Sequence, residues 1–187
     1  MIASDAAYTE VSFDGYRPVS FLQAKGAKAL GVEFHSLSKT FNMTGWRIGF
    51  AVGQREMIAA LSKVKANIDS GIFQAVQLAG LFALEQGEEW VKRSNRIYEE
   101  RRNLLRHALS SMGWRCPNPK ATFYFWIPVP IRKSSAAFAK FLLKEAGVIV
   151  TPGVGFGKAG EGYFRMTLTV TKERIEEACA RLKKLLG

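Results

Sequence analysis

Cysteine and histidine, the side chains that most often bind metals or act as catalytic groups, are scarce in this chain. There are two of each among 187 residues. Cys116 and Cys179 are too few to build the disulfide framework of a small secreted domain. Cys179 stands in a helical pattern, and we expect it to be a small buried thiol. There is no Cys-x-x-Cys pair and no cluster of histidines, so no metal site is expected.

Long hydrophobic runs are absent as well. No stretch of 18 apolar residues occurs, which argues against a transmembrane helix. Residues 1–5 lack the basic region and the long apolar region of a signal peptide. We therefore expect a soluble, cytoplasmic protein with no membrane partner.

Acidic residues are in deficit, with 16 Asp and Glu against 27 Lys and Arg, which gives a formal net charge of +11. Such a charge can indicate nucleic-acid binding. Many of the cations, however, are interleaved with acids in residues 92–102, a pattern typical of a solvated helix face. No zinc finger or RNA-binding motif is visible, so no nucleic-acid partner is expected.

The remaining pattern predicts alternating strands and helices. A long helix over residues 89–112 carries apolar side chains at seven-residue spacing on a charged rod. Because a helix of this length often bridges two domains, we place a boundary near residue 100, with domains 1–100 and 101–187. Strands are predicted at residues 1–4 (the end of a buried strand), 32–36, 47–52 (also buried), 123–127, 148–150 and 163–168, and the other helices at 54–67, 74–86, 135–146 and 171–186.

Lys39 follows the predicted strand 32–36 in a polar loop that reaches Gly45. Burial of a lysine amine disfavours its charged form and makes it a better nucleophile, which is what Schiff-base chemistry requires. Ser36 can donate a hydrogen bond, and the guanidinium of Arg47 suits an anion. From the residues alone, this segment is either an anion site with a reactive lysine or a surface loop.

Three motifs, taken together, resemble those of one enzyme family. Residues 36–39 (SLSK), followed by 45–49 (GWRIG), resemble the cofactor-lysine signature of class I/II aminotransferases, which are fold-type-I enzymes dependent on pyridoxal 5′-phosphate (PLP). The sequence of residues 40–47 is similar to that found in the branch of the family containing the LL-diaminopimelate, aspartate and alanine aminotransferases. Residues 5–8 (DAAY) resemble the family's D-x-x-Y, and residues 163–166 (YFRM) resemble its arginine-bearing strand.

The resemblance implies a role for each matching residue. Lys39 is the catalytic residue and holds PLP as a Schiff base. Ser36 and Arg47 bind the phosphate of the cofactor. Asp5 pairs with the pyridine nitrogen, and Tyr8 donates to the 3′-oxygen.

The resemblance also implies a substrate contact, a fold and a reaction. Arg165 binds the α-carboxylate of the substrate. The fold is α/β: the C-terminal part of the PLP-binding large domain, a mixed sheet with helices, followed by the small α/β domain. The reaction is transfer of an amino group from an amino acid to a 2-oxo acid, in amino-acid biosynthesis, by a homodimer.

The motifs match the second half of a family member, so we expect a C-terminal fragment. Two alternatives to an active enzyme therefore stay open. One is a catalytically inactive fragment. The other is a PLP-binding sensor domain, like the aminotransferase-like half of some transcription regulators. Residues 67–71 are either a loop that reaches a neighbouring subunit or a plain turn, and the glycine-rich residues 153–162 are expected to form a mobile loop between two strands.

Overall fold

The computed structural model describes all 187 residues, which form two compact units, Met1–Asn95 and Arg96–Gly187. The division falls after residue 95, whereas the sequence analysis placed it after residue 100. That the units correspond to parts of a PLP-binding domain and a small domain stays a prediction. No helix in the structure is both long enough and apolar enough to cross a membrane.

The N-terminal unit contains a three-stranded mixed sheet in the order β1-β2-β3. β1 and β2 are parallel, and β2 and β3 are antiparallel, so the predicted α/β class with a mixed sheet is confirmed. The elements of this unit are β1 (Ile2–Asp5), β2 (Gly31–Ser36), α1 (Leu37–Thr40), β3 (Gly49–Gly53), α2 (Arg55–Lys65), α3 (Gln74–Gln86) and the first turns of α4 (Glu88–Ser111).

The prediction that the first and third of these strands are buried is wrong. Ile2 on β1 is 46% exposed and Phe50 on β3 is 39% exposed. Both strands lie at the edges of the sheet, and their apolar side chains find few neighbours within the chain. An apolar run therefore predicted the strands correctly and their burial incorrectly, because burial depends on what covers a sheet.

The helix α3 has the bounds that the sequence predicted. Its sequence is apolar on most sides, yet Gly80 is its one buried residue, and Phe82 is 66% exposed. A Cβ at position 80 would lie 2.7 Å from Cδ1 of Ile48 and 3.3 Å from Cδ2 of Leu37. Glycine therefore lets α3 approach the segment that carries α1 closely, while the remaining apolar surface of α3 has no cover in this chain.

The C-terminal unit is an antiparallel sheet in the order β4-β6-β5 with three helices. Its core is fully buried and joins the sheet to all of these helices, for example through Phe125, Phe138, Leu105 and Leu182. The elements are the remainder of α4, then β4 (Tyr124–Pro128), α5 (Ser135–Ala146), β5 (Thr151–Pro152), β6 (Tyr163–Thr167) and α6 (Lys172–Leu186).

Helix α5 begins and ends where the sequence predicted, because it has a capping residue at each end. The Ser134 hydroxyl accepts a hydrogen bond from the amide of Ala137, and Gly147 takes a left-handed conformation at the end. On α6, Cys179 is buried as predicted, and desolvation by burial raises the pKa of its thiol to about 11.

The predicted strand at residues 148–150 is not formed, and the strand is confined to β5. Val148 and Val150 are buried and Ile149 is 83% exposed, so the alternation that suggested a strand is real. The pairing with β6, however, includes only Thr151 and Pro152. A strand requires a hydrogen-bonded partner, which the alternation of side chains does not supply.

The glycine-rich loop between β5 and β6 folds into two short 3-10 helices, Gly153–Phe156 and Lys158–Gly160. The carboxylate of Glu161 fastens it to α5 by accepting hydrogen bonds from the amide (2.7 Å) and hydroxyl (2.9 Å) of Ser135. These bonds hold the pKa of Glu161 below its ordinary value. Gly153 and Gly160 lie so close that a Cβ on either would overlap the carbonyl oxygen of the other.

This close approach predicts that Gly153→Ala destabilises the C-terminal unit by about 2 kcal/mol, since neither backbone segment can yield without strain. Gly155→Ala is the matched control, because a Cβ there meets no atom within 4 Å. Thermal unfolding of both variants measures the effect. Equal melting temperatures for the two variants would show that the loop is not packed as described.

Candidate functional site

Four of the five predicted cofactor-binding residues lie at or just after the carboxyl ends of β1 and β2, a place called the sheet edge below: Asp5, Tyr8, Ser36 and Lys39. β1 ends at Asp5 and β2 ends at Ser36, and Asp5 pairs with Phe34 in the parallel register. Because parallel strands end at the same edge of a sheet, the segments that follow them emerge side by side. Asp5 is exposed, and its Oδ1 accepts a hydrogen bond from the amide of Ala7 (3.2 Å), which shapes the turn toward Tyr8.

Lys39 lies on the short helix α1, where the sequence analysis predicted a polar loop. The helix forms because the Ser36 hydroxyl accepts a hydrogen bond from the amide of Ser38 (3.2 Å) and so caps its first turn. Leu37 and Ser38 are buried and anchor the helix, while Lys39 is half-buried. The expectation that Lys39 is buried is therefore corrected: the residue is partly exposed.

The Lys39 side chain reaches the turn after β1. Its Nζ lies 5.6 Å from the centroid of the Tyr8 ring, within the range of a cation–π contact. The structure thus brings together the lysine of one predicted motif and the tyrosine of another. The contact depends on the adjacency of β1 and β2.

Arg47 closes the loop that follows α1. It has a left-handed backbone (φ +55°), uncommon for a residue with a side chain. Its Nη1 donates a hydrogen bond to the carbonyl of Thr44 (2.9 Å), and the Thr44 hydroxyl donates to the carbonyl of Ser38 (3.1 Å). These two bonds tie Arg47 to the helix that carries Lys39, while its exposed guanidinium keeps further N–H groups for an anion.

Glu33 is a supporting residue that the sequence reasoning missed. It is 2% exposed, and its carboxylate accepts hydrogen bonds from the Ser20 hydroxyl, the Phe21 amide and a ring nitrogen of His35, each at 2.9 Å. The His35 ring stacks on Phe50 of β3, with centroids 4.8 Å apart. The available signal was a glutamate inside an apolar strand, since a buried carboxylate requires partners.

The N-terminal unit contains a cavity of about 740 Å³ that overlaps the predicted site only in part. Ser36, Thr40, His35 and Phe50 are among its lining residues, but Lys39 and the other predicted cofactor-binding residues are not. We therefore define the site by the sheet edge and not by this cavity. No group of three or more His, Cys, Asp or Glu side chains that could hold a metal ion occurs in the structure.

Arg165, the predicted substrate-binding residue, lies on β6 in the C-terminal unit. In the sheet it pairs with Trp126 of β4 on one side and Thr151 of β5 on the other. It is half-buried and packs against the rings of Tyr124 and Phe156.

At the ends of β1 and β2 the structure thus brings the Lys39 amine to the Tyr8 ring, with the carboxylate of Asp5 at the end of the neighbouring strand. The model of the family "Aminotransferase class I and II" matches residues 1–182. The chain belongs to this family, whose members depend on PLP.

The chain is also similar to individual members of the family. The chain is 54% identical over 187 residues to an LL-diaminopimelate aminotransferase of Moorella thermoacetica, covering 100% of this chain and 48% of the relative. It is 56% identical over 185 residues to the enzyme of that name from Syntrophobacter fumaroxidans, covering 99% and 48%. The structure of apo-BacF from Bacillus subtilis matches with a TM-score of 0.93 and 37% identity, covering 99% of this chain and 47% of that one. The chain therefore spans about half the length of the relatives that it matches.

The buried network around Glu33 predicts that Glu33→Leu destabilises the N-terminal unit by about 3 kcal/mol. Leucine fills the space but leaves three donors without an acceptor. Glu33→Gln is the control at the same position: it keeps an acceptor oxygen, so its loss should be clearly smaller. Hydrogen exchange at the β2 amides reports the change, and a Glu33→Leu protein with wild-type protection would contradict this role for Glu33.

Proposed function

We propose that this chain supplies the Lys39 half of a PLP-dependent aminotransferase, which transfers an amino group from an amino acid to a 2-oxo acid. The observation that carries the proposal is the position of Lys39 at the edge of the sheet, beside Tyr8 and next to the strand that ends at Asp5. Relatives named LL-diaminopimelate aminotransferase, at 54% and 56% identity, support LL-diaminopimelate as the amino donor.

The chemical character of the site fits PLP, which carries an aldehyde, a phosphate, a ring nitrogen and a ring hydroxyl. Lys39 Nζ would be the nucleophile for the aldehyde, and Ser36 and Arg47 would hold the phosphate. Asp5 would face the ring nitrogen and Tyr8 the 3′-oxygen. When bound, PLP supplies an electron sink for negative charge at the substrate α-carbon.

The chain's own residues would manage protons and charges around that sink. Lys39 Nζ would accept the proton from the substrate α-carbon as a general base and then donate it as a general acid. The Asp5 carboxylate would keep a proton on the nitrogen that it faces, because an adjacent negative charge stabilises the protonated form. The capped helix α1 and the hydrogen-bonded loop to Arg47 would hold these groups in place while the bonds at Lys39 change.

Arg165 would bind the α-carboxylate of the substrate. The support is chemical: its guanidinium forms no ion pair or hydrogen bond with a carboxylate in the structure. The two arginines of α6, Arg174 and Arg181, by contrast, both pair with Glu177. A guanidinium with free N–H groups suits a planar carboxylate.

The test of the proposal compares the wild-type chain with Lys39→Ala after incubation with PLP. We expect the wild type to acquire an absorbance band near the edge of the visible range, and borohydride to attach the pyridoxyl group at Lys39, as located by peptide mass spectrometry. Lys39→Ala should lose the band because it removes the amine that would react with the aldehyde. Addition of LL-diaminopimelate or glutamate to the loaded wild type should then change the spectrum.

Lys63→Ala is the matched control, since Lys63 is an exposed lysine on α2 in the same unit, and it should behave as the wild type. Labelling spread evenly over exposed lysines would contradict a specific role for Lys39. A band at Lys39 that no amino acid alters would contradict transamination and favour a PLP-binding sensor.

We also propose that the protein works as a homodimer in the cytoplasm, where free amino acids and 2-oxo acids are available. The apolar surface of α3, with Leu78 and Phe82 both more than half exposed, supports association, because monomers rarely leave such surface uncovered. Sedimentation should give a mass of twice 20.8 kDa, retained at raised salt, which strengthens apolar association. A monomer at every concentration would contradict the dimer.

A further inference from the structure

The guanidinium of Arg165 lies over two aromatic rings. Its Cζ is 4.0 Å from the centroid of Tyr124 and 4.5 Å from the centroid of Phe156. Tyr124 comes from β4, beside β6 in the sheet, whereas Phe156 comes from the 3-10 helix that follows β5. Two separate elements thus contribute one ring each to the same cation.

This environment restricts the guanidinium without neutralising it. Ring faces attract the flat face of a guanidinium, while the N–H donors point outward in its plane. No carboxylate pairs with Arg165 in the structure. The Cζ of Arg165 lies over both rings, and its N–H groups have no carboxylate partner, so they remain available for a planar anion.

The placement of Phe156 does not result from burial in the core, since its side chain is 51% exposed. The Trp126 ring packs against the Phe156 ring in a T-shaped arrangement, with the ring centroids 5.3 Å apart. Phe156 is supported from the backbone by the close approach of Gly153 to Gly160 and by the hydrogen bonds between Glu161 and Ser135. The glycine-rich loop thus presents an exposed ring at a defined position, next to a cation.

We propose that Tyr124 and Phe156 are positioning residues that orient Arg165 for a carboxylate ligand, the α-carboxylate of the amino acid. The proposal rests on the role of Arg165 in the proposed function and extends it to two residues that have no charge of their own. It also assigns a role to the glycine-rich loop, which positions Phe156 beside the carboxylate site.

The experiment titrates the 15N-labelled 187-residue chain with sodium acetate, at ionic strength held constant with chloride, and follows the Arg165 Nε–Hε signal. We expect saturable binding in the wild type. Phe156→Leu and Tyr124→Leu should each weaken acetate binding about threefold or more, the size expected when one ring contact is lost. Phe156→Tyr and Tyr124→Phe keep the rings and should bind as the wild type does.

The melting temperature of each variant shows whether a loss of binding reflects a loss of folding, and unchanged melting with weaker binding supports a positioning role. Acetate binding that persists equally in Phe156→Leu and Tyr124→Leu would overturn the proposal and leave the role of Arg165 intact. Absence of saturable acetate binding at the Arg165 signal of the wild type would overturn both this inference and the substrate role of Arg165. Neither outcome bears on PLP attachment to Lys39, which is measured separately.

Discussion

The parallel pairing of β1 with β2 is the constraint on which the candidate site depends. It places Asp5 beside Phe34, so both strands end at one edge of the sheet and the turn to Tyr8 meets the helix of Lys39. A shift by one residue would reverse the face of every side chain on β1 and separate the two motifs. Neither motif alone forms the site, and each contributes through the segment that follows its strand.

Hydrogen bonds of single side chains hold the segments that carry the candidate functional residues in place. Ser36 caps α1, and the Thr44 hydroxyl binds the carbonyl of Ser38. Glu33 joins β2 to the preceding segment through its bonds with Ser20 and Phe21. In the C-terminal unit the same principle recurs, since a carboxylate fastens the glycine-rich loop to a helix. Such bonds are short-range and directional, so they orient side chains that apolar packing alone would leave free to rotate.

Local signals in the sequence predicted the helices well and the environment of the strands poorly. The bounds of α5 were predicted because its capping residues, Ser134 and Gly147, lie next to the helix in the sequence. The end of α3 was predicted because Gly87 follows its last residue. The burial of β1 and β3, the strand at residues 148–150 and the network of Glu33 were not, because each depends on a partner distant in the chain or outside it. Resemblance selected Lys39 and Tyr8 separately, and the structure added their proximity. The α1 helix was missed because Ser36 was considered as a cofactor ligand and not as a cap.

The account's central claim, that the sheet edge brings Lys39 and Tyr8 together, is tested most directly by nuclear Overhauser effects in the 187-residue chain. With Nζ 5.6 Å from the ring centroid, the Lys39 side-chain methylene protons should show cross-peaks to the Tyr8 ring protons, and Tyr8→Leu should remove them. If both residues are assigned and no such cross-peaks appear, the two motifs do not meet in solution, and the arrangement of the site described here is contradicted.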